Sequence, residues 1–457
     1  MKKTIRLKDN HSYPNEDYPE LSSLWINNLS LQEIADNSNY PNLLIFPYSL
    51  GEYGDDKIFS SEKTKDGTPT LRTGNISGFI GVDGIDIHIT SRFSDGDEDY
   101  FLHYLLCKKF NLNLFDLKSS TTDVPVLDLL ILLFPYYLKR AVSQGVFKKY
   151  KRFKHNDANI RGTIDISRHM KSNIPFTGAV AYNAREYSYD NDVTQLVRHT
   201  AEYMMSTPLG RMIINNDTTL REGIQQIKAA TPSYDPRDIH KVINLNLRPV
   251  SHPYFSAYSQ LQKICLQILL HKKLKYGIQN KQEKIYGVLF DAAWLWEEYL
   301  AVILKDLGFM HPSNKDKEGG KNILKDNNIL PKYETGYKGW IYPDFHYTDK
   351  NQNKTLLILD AKYKPLNKGV NKADLYQMIT YMHCYEASRG GFIFPFSEPE
   401  AKAKAETVES VLNIKRKETI SIIPFTIPKE KESWETFCEG MKKNERQFCR
   451  AISFSDL

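Results

Sequence analysis

The sequence predicts a multidomain protein of mixed α/β and α+β class. We expect an N-terminal α+β region, a helical middle region and a C-terminal mixed sheet flanked by helices. Two β-rich runs form a hairpin pattern between Gly78 and Ile89, apolar residues recur at helical spacing from Tyr100, and β-rich runs return in the final third. With 457 residues, 41% of them apolar and 25% charged, the chain can bury two or three cores and is too apolar for a disordered protein.

Changes in hydrophobic period divide the chain into four predicted segments. We expect the α+β region at residues 1–123 and a mostly helical region at 124–284. A sheet domain follows at 285–425, and a C-terminal tail at 426–457. The boundary near residue 285 is uncertain by about ten residues, because boundaries are the weakest part of such predictions.

Cysteine spacing and apolar runs indicate the compartment. The five cysteines are scattered without a CxxC pair, so neither a zinc site nor a disulfide framework is predicted. The basic start of the chain has no apolar stretch behind it, unlike a secretory signal. The longest apolar run, Val124 to Leu138, contains Asp128 and Pro135 and is shorter than the roughly 18 residues of a spanning helix. We therefore expect a soluble cytoplasmic protein without membrane contact.

A basic segment, KKYKRFK at residues 148–154, stands out within a net charge of +6. Its cations could neutralise phosphates while Tyr150 and Phe153 stack on bases or sugars. The alternative is a solvated helix end whose cations complement the helix dipole. We place the segment at the end of a helix. The candidate nucleic-acid contacts are Lys148, Lys149, Lys151 and Arg152.

The chemically informative pattern is Tyr342-Pro343-Asp344 followed by the apolar run Leu356 to Leu359 and then Asp360-Ala361-Lys362. Side chains alternate faces along a strand, so Asp360 and Lys362 project from the same side. If the run that contains Asp344 pairs with this strand, two carboxylates and one ammonium converge at a sheet edge. The alternative for a lone Asp-x-Lys is a solvated strand end or a surface ion pair.

Such a convergence suits metal-dependent phosphodiester hydrolysis. Two carboxylates, Asp344 and Asp360, can hold Mg²⁺ while several waters stay in its octahedron. The metal lowers the pKa of an attacking water and neutralises phosphoryl charge. Lys362 would orient that water or help to deprotonate it.

Two helical patterns flank these strands. The first, Asp291 to Phe309, carries Glu297 and Glu298 near its start, where the helix dipole alone favours glutamate. The second, ADLYQMITYMHCYEAS, places Gln377 and Tyr381 on one face at i, i+4, within reach of a phosphate or the lysine. Taken alone, such a pair is more often a surface hydrogen bond.

Together these motifs resemble the PD-(D/E)xK nuclease core in its RecB-like variant. The runs LWEEYL, YPDF, LILDAKYK and DLYQMITYMHCY, with the upstream RGTIDISRHM and AREYSYDNDVTQLVRHTAEY, look like McrC, the nuclease subunit of McrBC-type modification-dependent restriction systems. The resemblance covers roughly residues 75 to 400, and the combination is more specific than any single motif. A polar insertion at 348–354 lengthens the hairpin between the two aspartates.

The resemblance implies roles for individual residues. Asp344 and Asp360 would be metal ligands for Mg²⁺, with Mn²⁺ as the alternative, and Lys362 would be the catalytic lysine. An accessory acid would come from Glu297, although Glu298 stays open. The supporting residues on the second helix would be Gln377 and Tyr381.

The resemblance also implies partners. Such a chain works on double-stranded, modified DNA with a hexameric AAA+ GTPase, which it binds through its N-terminal region (residues 1–123) and whose GTP hydrolysis it stimulates. No GxxxxGK[ST] motif occurs in the sequence, so a motor would have to act in trans. Two other functions stay open: a non-catalytic adaptor of the GTPase, and a stand-alone RecB-like nuclease.

Overall fold

The computed structural model describes most of the chain in two compact units. The described residues are 3–36, 43–47, 55–63, 66–94, 99–111, 126–275, 285–312, 319–322, 340–349, 354–366, 369–397, 407–413, 416–429 and 433–452. One unit combines residues 1–118 with 284–457, and the other spans 119–283. Part of the predicted polar insertion, residues 350–353, lies outside the described residues, as does the predicted boundary segment at 119–123.

The N-terminal part of the first unit is a mixed α+β structure. Its elements are β1 (Lys3–Lys8), β2 (Ser12–Pro14), α1 (Pro19–Ser22), α2 (Leu31–Asp36), β3 (Leu43–Phe46), β4 (Phe59–Lys63), β5 (Pro69–Thr73), β6 (Ile76–Val82), β7 (Ile85–Thr90) and α3 (Tyr100–Lys109). The predicted hairpin is confirmed: β6 and β7 pair antiparallel around the turn Asp83-Gly84, whose φ angles of +48° and +85° suit Asp and Gly. One side of this sheet packs a core that includes Ile5, Ile80 and Ile87.

The second unit is mostly helical, as predicted, but contains a small sheet. Its elements are α4 (Val126–Val142), β8 (Lys149–Asp157), β9 (Thr163–Ile164), α5 (Ile166–Ser172), β10 (Val180–Ser188), α6 (Asp192–Ser206), α7 (Pro208–Asn216), α8 (Thr218–Ala230), a 3₁₀ turn (Pro236–Asp238), α9 (Ile239–Leu245) and α10 (Ala257–Lys275). The strand order is β8-β10-β9. Helix α6 begins at a capping box in which the Asn191 side chain accepts from the Thr194 backbone and Thr194 Oγ1 accepts from the Asn191 backbone.

Our placement of the basic segment at a helix end was wrong. Residues 149–157 form β8, and every one of them pairs antiparallel with a residue of β10. Seven residues rich in lysine carry no apolar periodicity of either kind, so local sequence favoured neither state. The partner strand, more than twenty residues further along the chain, decides the conformation through its ladder of main-chain hydrogen bonds.

The C-terminal part of the first unit contains a second five-stranded sheet. Its elements are β11 (Ile285–Asp291), α11 (Ala292–Lys305), β12 (Lys321–Asn322), β13 (Trp340–Ile341), β14 (Phe345–Asp349), β15 (Lys354–Ala361), α12 (Lys372–Tyr385), β16 (Arg389–Ser397), β17 (Thr407–Asn413), β18 (Arg416–Ile427) and α13 (Trp434–Ile452). The order is β14-β15-β16-β18-β17, with β15, β16 and β18 parallel and the two outer strands antiparallel. The expected mixed sheet is therefore present.

Helices α11 and α12 lie on opposite faces of this sheet. Met378 and Met382 of α12 pack in one core cluster with Phe394 of β16. Phe425 of β18 pairs beside Pro395, one residue after Phe394, and therefore points to the other face. There the ring of Phe425 lies 5.6 Å from that of Trp296 on α11. Both faces of the central strands are thus covered, which agrees with their continuous apolar runs.

Strand pairing joins the first and third predicted segments. Strand β11 lies between β6 and β3 in the N-terminal sheet, so residues 285–291 complete that sheet before α11 begins. The predicted tail is also structured: β18 runs to Ile427, and α13 buries Trp434, Phe437 and Met441. The division into four functional segments stays a prediction. None of the helices described here is long and apolar enough to cross a membrane.

Candidate functional site

The ends of β14 and β15 bring two aspartates together. Phe345 pairs with Leu359, so the register places Asp344, one residue earlier, beside Asp360. Asp344 Oδ2 accepts a hydrogen bond of 2.6 Å from the backbone N–H of Ala361. Asp360 lies on the central strand β15, and only 2% of its surface is exposed. The local sequence explains the burial, because a continuous apolar run carries Asp360 to the carboxyl end of a parallel strand.

Lys362 follows strand β15 directly, and its side chain lies beside two carboxylates. Its Nζ lies 2.7 Å from Asp360 Oδ2 and 3.5 Å from Asp374 Oδ1. Its backbone N–H donates 2.8 Å to the carbonyl of Ile393, which extends the pairing with β16. Asp360 and Lys362 therefore share one side, as the alternation predicted.

Burial raises the pKa values of both aspartates, and neighbouring carboxylates add to the effect. The pKa of Asp344 lies well above its ordinary value because the carboxyl is buried and because the charges of Asp360 and Glu297 oppose its ionisation. Burial also raises the pKa of Asp360, although Lys362 partly offsets this. For Lys362, burial alone would lower the pKa, but Asp360, Asp344 and Asp374 outweigh it, so the net pKa is raised. Buried carboxylates whose pKa values are shifted by burial and by neighbouring charges are typical of functional sites.

The two adjacent glutamates of α11 have different surroundings. Glu297 contributes to the raised pKa of Asp344, and its Oε1 lies 3.8 Å from Nε2 of His311. His311 also donates from Nδ1 to the backbone carbonyl of Asp344 at 2.8 Å. Glu298 instead pairs with Lys109 of α3 and accepts from Trp294 Nε1. Of the two, Glu297 is the one directed toward the aspartates.

Gln377 and Tyr381 of α12 contact each other. Gln377 Nε2 donates to Tyr381 Oη at 2.9 Å. This is the surface hydrogen bond that the i, i+4 spacing alone would explain. The charges of Asp344 and Asp360 nevertheless affect the pKa of Tyr381. Burial raises the pKa of Tyr381 to about 12. The negative charges of Asp344 and Asp360 also raise it, whereas the hydrogen bond with Gln377 lowers it. The phenol therefore stays protonated and can donate a hydrogen bond near the aspartates.

Two residues that sequence reasoning missed also belong to this cluster. Asp374, in the first turn of α12, contacts both Lys362 and Lys364. Its sequence signal was weak, because an acidic residue after the N-cap Asn371 is explained by the helix dipole alone. His311 lies in the loop after α11, where no motif marks it. Its hydrogen bond to the backbone carbonyl of Asp344 places it beside the aspartates.

The donor set fits a hard divalent cation held largely by water. In the described parts of the chain, no group of three or more His, Cys, Asp or Glu side chains is arranged to hold a metal. The two carboxylates are those of Asp344 and Asp360. Oδ2 of Asp344 accepts from the Ala361 N–H, and Oδ2 of Asp360 contacts Lys362 Nζ. Mg²⁺ commonly uses only one or two protein carboxylates and keeps several waters. Asp344 and Asp360 would be the residues that hold it.

A comparison with protein families decides the identity. Residues 71–395 match the family model described as the McrBC 5-methylcytosine restriction system component. The chain belongs to the McrBC family. All of the candidate residues of the McrBC chain, from Lys148 to Tyr381, lie inside the matched region.

Solved structures give two further similarities for this McrBC chain. A half-complex of Thermococcus gammatolerans McrB AAA+ hexamers with bound McrC matches at 14% identity, with 98% of this chain and 100% of that chain covered and a TM-score of 0.48. The cryo-EM structure of the Thermococcus gammatolerans McrBC complex matches at 13% identity, with coverage of 67% and 88% and a TM-score of 0.31. No curated protein matches the chain.

The basic segment of the McrBC chain lies in the second unit, on the β8–β10 ribbon. Lys149 Nζ pairs with Asp192 at 2.8 Å, and Lys151 Nζ donates to the carbonyl of Asp190. Lys148 Nζ instead lies 4.3 Å above the ring of Tyr189. The four predicted contacts are therefore divided between two faces of one ribbon, since Arg152 shares the face of Lys148 by alternation.

Proposed function

We propose that this chain is the Mg²⁺-dependent DNA endonuclease subunit of its restriction system, with a PD-(D/E)xK-type catalytic core. The observation that carries the proposal is the convergence of Asp344, Asp360 and Lys362 at the ends of two paired strands. A solvated strand end would not bury Asp360 or raise the pKa values of both aspartates. This supports a working site over an incidental ion pair.

Each residue has a role that follows from its position. Asp344 and Asp360 would hold Mg²⁺, which when bound supplies an activated water and charge neutralisation at the phosphoryl group. Lys362, protonated because three carboxylates surround it, would orient the attacking water and stabilise negative charge. Glu297 adds negative charge beside Asp344 and would strengthen the hold on the cation. Tyr381, supported by Gln377, would donate a hydrogen bond to a phosphate oxygen.

The proposed partners are a McrB-like AAA+ GTPase hexamer, which the chain would stimulate, and double-stranded modified DNA. Membership of the McrBC family supports the first partner, together with the McrC-like motifs between Glu297 and Tyr381. The carboxylate and lysine cluster supports the second, because phosphodiester hydrolysis is the chemistry it suits. We place this activity in the cytoplasm, where restriction acts on incoming DNA.

The test is cleavage of methylated and unmethylated plasmid DNA by the chain, its AAA+ partner, GTP and Mg²⁺. We expect Asp360→Ala to lower the cleavage rate by a factor on the order of 100 or more, because a metal ligand is lost. Asp306→Ala removes an exposed carboxylate at the end of α11 and serves as the matched control. GTP hydrolysis should remain stimulated in both variants.

Two outcomes would contradict the proposal. If Asp360→Ala cuts DNA like the parent while GTP hydrolysis stays stimulated, the adaptor function replaces the nuclease. If the chain cuts DNA equally well without its AAA+ partner, the stand-alone nuclease replaces the partner-dependent subunit.

A further inference from the structure

The β8–β10 ribbon separates its charges by face. Side chains alternate along each strand, and directly paired residues share a face. On one face, Lys151 lies opposite Glu186 in the strand register. Glu186 Oε1 lies 2.7 Å from His155 Nε2 on the same face. Every positive charge there has an acidic or carbonyl partner, as Lys149 has Asp192 and Lys151 has the carbonyl of Asp190.

The opposite face has a different composition, and we call it the basic ribbon face. It consists of Lys148, Tyr150, Arg152, Lys154, Arg185 and Tyr187. No aspartate or glutamate occurs on it within residues 148–154 or 183–189, since Glu186 points to the other side. At one end lies Asp165, near Lys154, but Arg168 already pairs with that carboxylate at 3.8 Å.

Two arginines oppose each other directly at the centre of this face. Arg152 pairs with Arg185 in the register of the two strands, and both side chains are exposed. Like charges placed directly opposite destabilise a strand pair, and Lys154 stands two residues away on the same side. A fold that needed this ribbon only for stability would gain from a carboxylate at one of these positions. The arrangement becomes favourable when an anion binds between the guanidinium groups.

Two tyrosines lie next to the arginines. Tyr150 and Tyr187 form a cross-strand pair with ring centroids 4.8 Å apart, and 60% and 47% of their surfaces are exposed. Arg185 Cζ lies 5.6 Å above the Tyr150 ring, and Lys148 Nζ lies near both Tyr187 and Tyr189. Aromatic rings held open beside cations are the combination that contacts nucleic-acid sugars and bases while phosphates are neutralised.

We propose that the basic ribbon face binds the phosphate backbone of DNA, with Arg152 and Arg185 contacting phosphates. This rests on the proposed function, because it supplies a second contact with the DNA that the aspartates would cut. Guanidinium groups match phosphate oxygens in a bidentate geometry, and exposed tyrosines would pack against the adjoining sugars. The proposal changes the residues that we expect to contact DNA. Lys149 and Lys151 lie on the other face of the ribbon and are removed, and Lys154 and Arg185 are added.

The experiment measures binding of a fluorescent duplex of about 30 base pairs to the full chain over a range of salt concentrations. The double variant Arg152→Gln with Arg185→Gln should reduce the log–log salt slope by about 1.8, since each lost phosphate contact removes about 0.9. The matched control removes two exposed arginines elsewhere in the same unit, Arg221→Gln with Arg248→Gln, and should leave the slope as in the parent. Thermal unfolding without DNA should show the arginine double variant at least as stable as the parent, because a repulsive pair is gone.

Three results would overturn this inference. The first is a parent chain that binds duplex without salt dependence, and the second is a double variant whose slope equals that of the parent. The third is a double variant that binds duplex normally but loses affinity for the AAA+ partner, which would make the face a docking surface for an acidic protein. Failure of the proposed function is separate, because it is measured by the cleavage rate of Asp360→Ala and not by the salt slope of the arginine variant.

Discussion

Tyr363, the residue after Lys362, places its phenol oxygen 2.7 Å from Oγ of Ser91, which follows strand β7 of the N-terminal sheet. The next residue, Arg92, stacks its guanidinium 4.8 Å from the Tyr363 ring and binds the buried Asp9 at 2.7 Å. The turn that carries the proposed catalytic lysine is therefore attached to the N-terminal sheet.

Tyr363→Phe removes the phenol oxygen but keeps the ring against Arg92. We expect a loss of about 1–3 kcal/mol in unfolding free energy, because a buried hydrogen bond is broken. DNA cleavage should fall several-fold with a higher Mg²⁺ requirement, since the segment that holds Lys362 and Asp360 becomes less constrained. Mg²⁺ titrations of the cleavage rate measure this.

The matched variant for this contact is Ser91→Ala. Both substitutions break the Tyr363–Ser91 bond, and Ser91→Ala also removes the acceptor of the Phe93 backbone N–H. The double variant should therefore lose less than the sum of the two single variants. Fully additive losses, or an unchanged Mg²⁺ requirement, would show that the contact does not position the lysine.

Substitutions of Lys362 distinguish a positive charge from a base. The carboxylates of Asp360, Asp344 and Asp374 raise its pKa, which favours the protonated amine and a role as a positive charge. Lys362→Gln should lower cleavage by a factor on the order of 100, because charge stabilisation is lost. Lys362→Arg should retain measurably more activity than the glutamine variant. Equal inactivity of both, with normal thermal unfolding, would favour a base.

The two glutamates of α11 should differ in their effects. Glu297→Gln removes negative charge beside Asp344, so we expect weaker Mg²⁺ binding, measured as a higher Mg²⁺ requirement, and a cleavage rate at least several-fold lower. Glu298→Gln breaks the pair with Lys109, a partly exposed ion pair that contributes about 1 kcal/mol or less. The comparison uses cleavage at several Mg²⁺ concentrations and thermal unfolding of each variant. A larger cleavage defect in the Glu298 variant would reverse the assignment.

The N-cap of α11 should make stability depend on pH. Burial, with the charges of Asp56 and Glu297, raises the pKa of Asp291 from 3.8 to about 8. The folded state therefore holds a proton that the unfolded state has released, and stability from this group falls as the pH rises from about 4 to 8. Asp291→Asn keeps an oxygen for the Trp294 N–H but carries no charge.

For this variant we expect a gain on the order of 1 kcal/mol at pH 8.5 over the parent and a flatter stability profile across that range. Denaturant unfolding at pH 5, 7 and 8.5 measures it. A variant whose stability falls with pH as steeply as that of the parent would exclude Asp291 as the cause.

Local patterns were sufficient for the elements whose own residues specify them. The β6–β7 hairpin follows from the turn Asp83-Gly84, and the common side of Asp360 and Lys362 follows from strand alternation. The basic segment could not be predicted in the same way. Its lysines suit a helix end and a strand equally, and the pairing of Arg152 with Arg185 depends on a strand that lies elsewhere in the sequence.

The sequence by itself determined the family, and it predicted the chemistry that we propose, because the order of the acidic and basic residues along β15 and α12 is a local property of the chain. Tertiary structure decided which residues join them. Glu297 rather than Glu298 faces Asp344, Asp374 reaches Lys362, and Tyr363 meets Ser91 only after α11, α12 and the N-terminal sheet have packed. These choices depend on contacts between segments far apart in sequence, and no local period or motif encodes such distances.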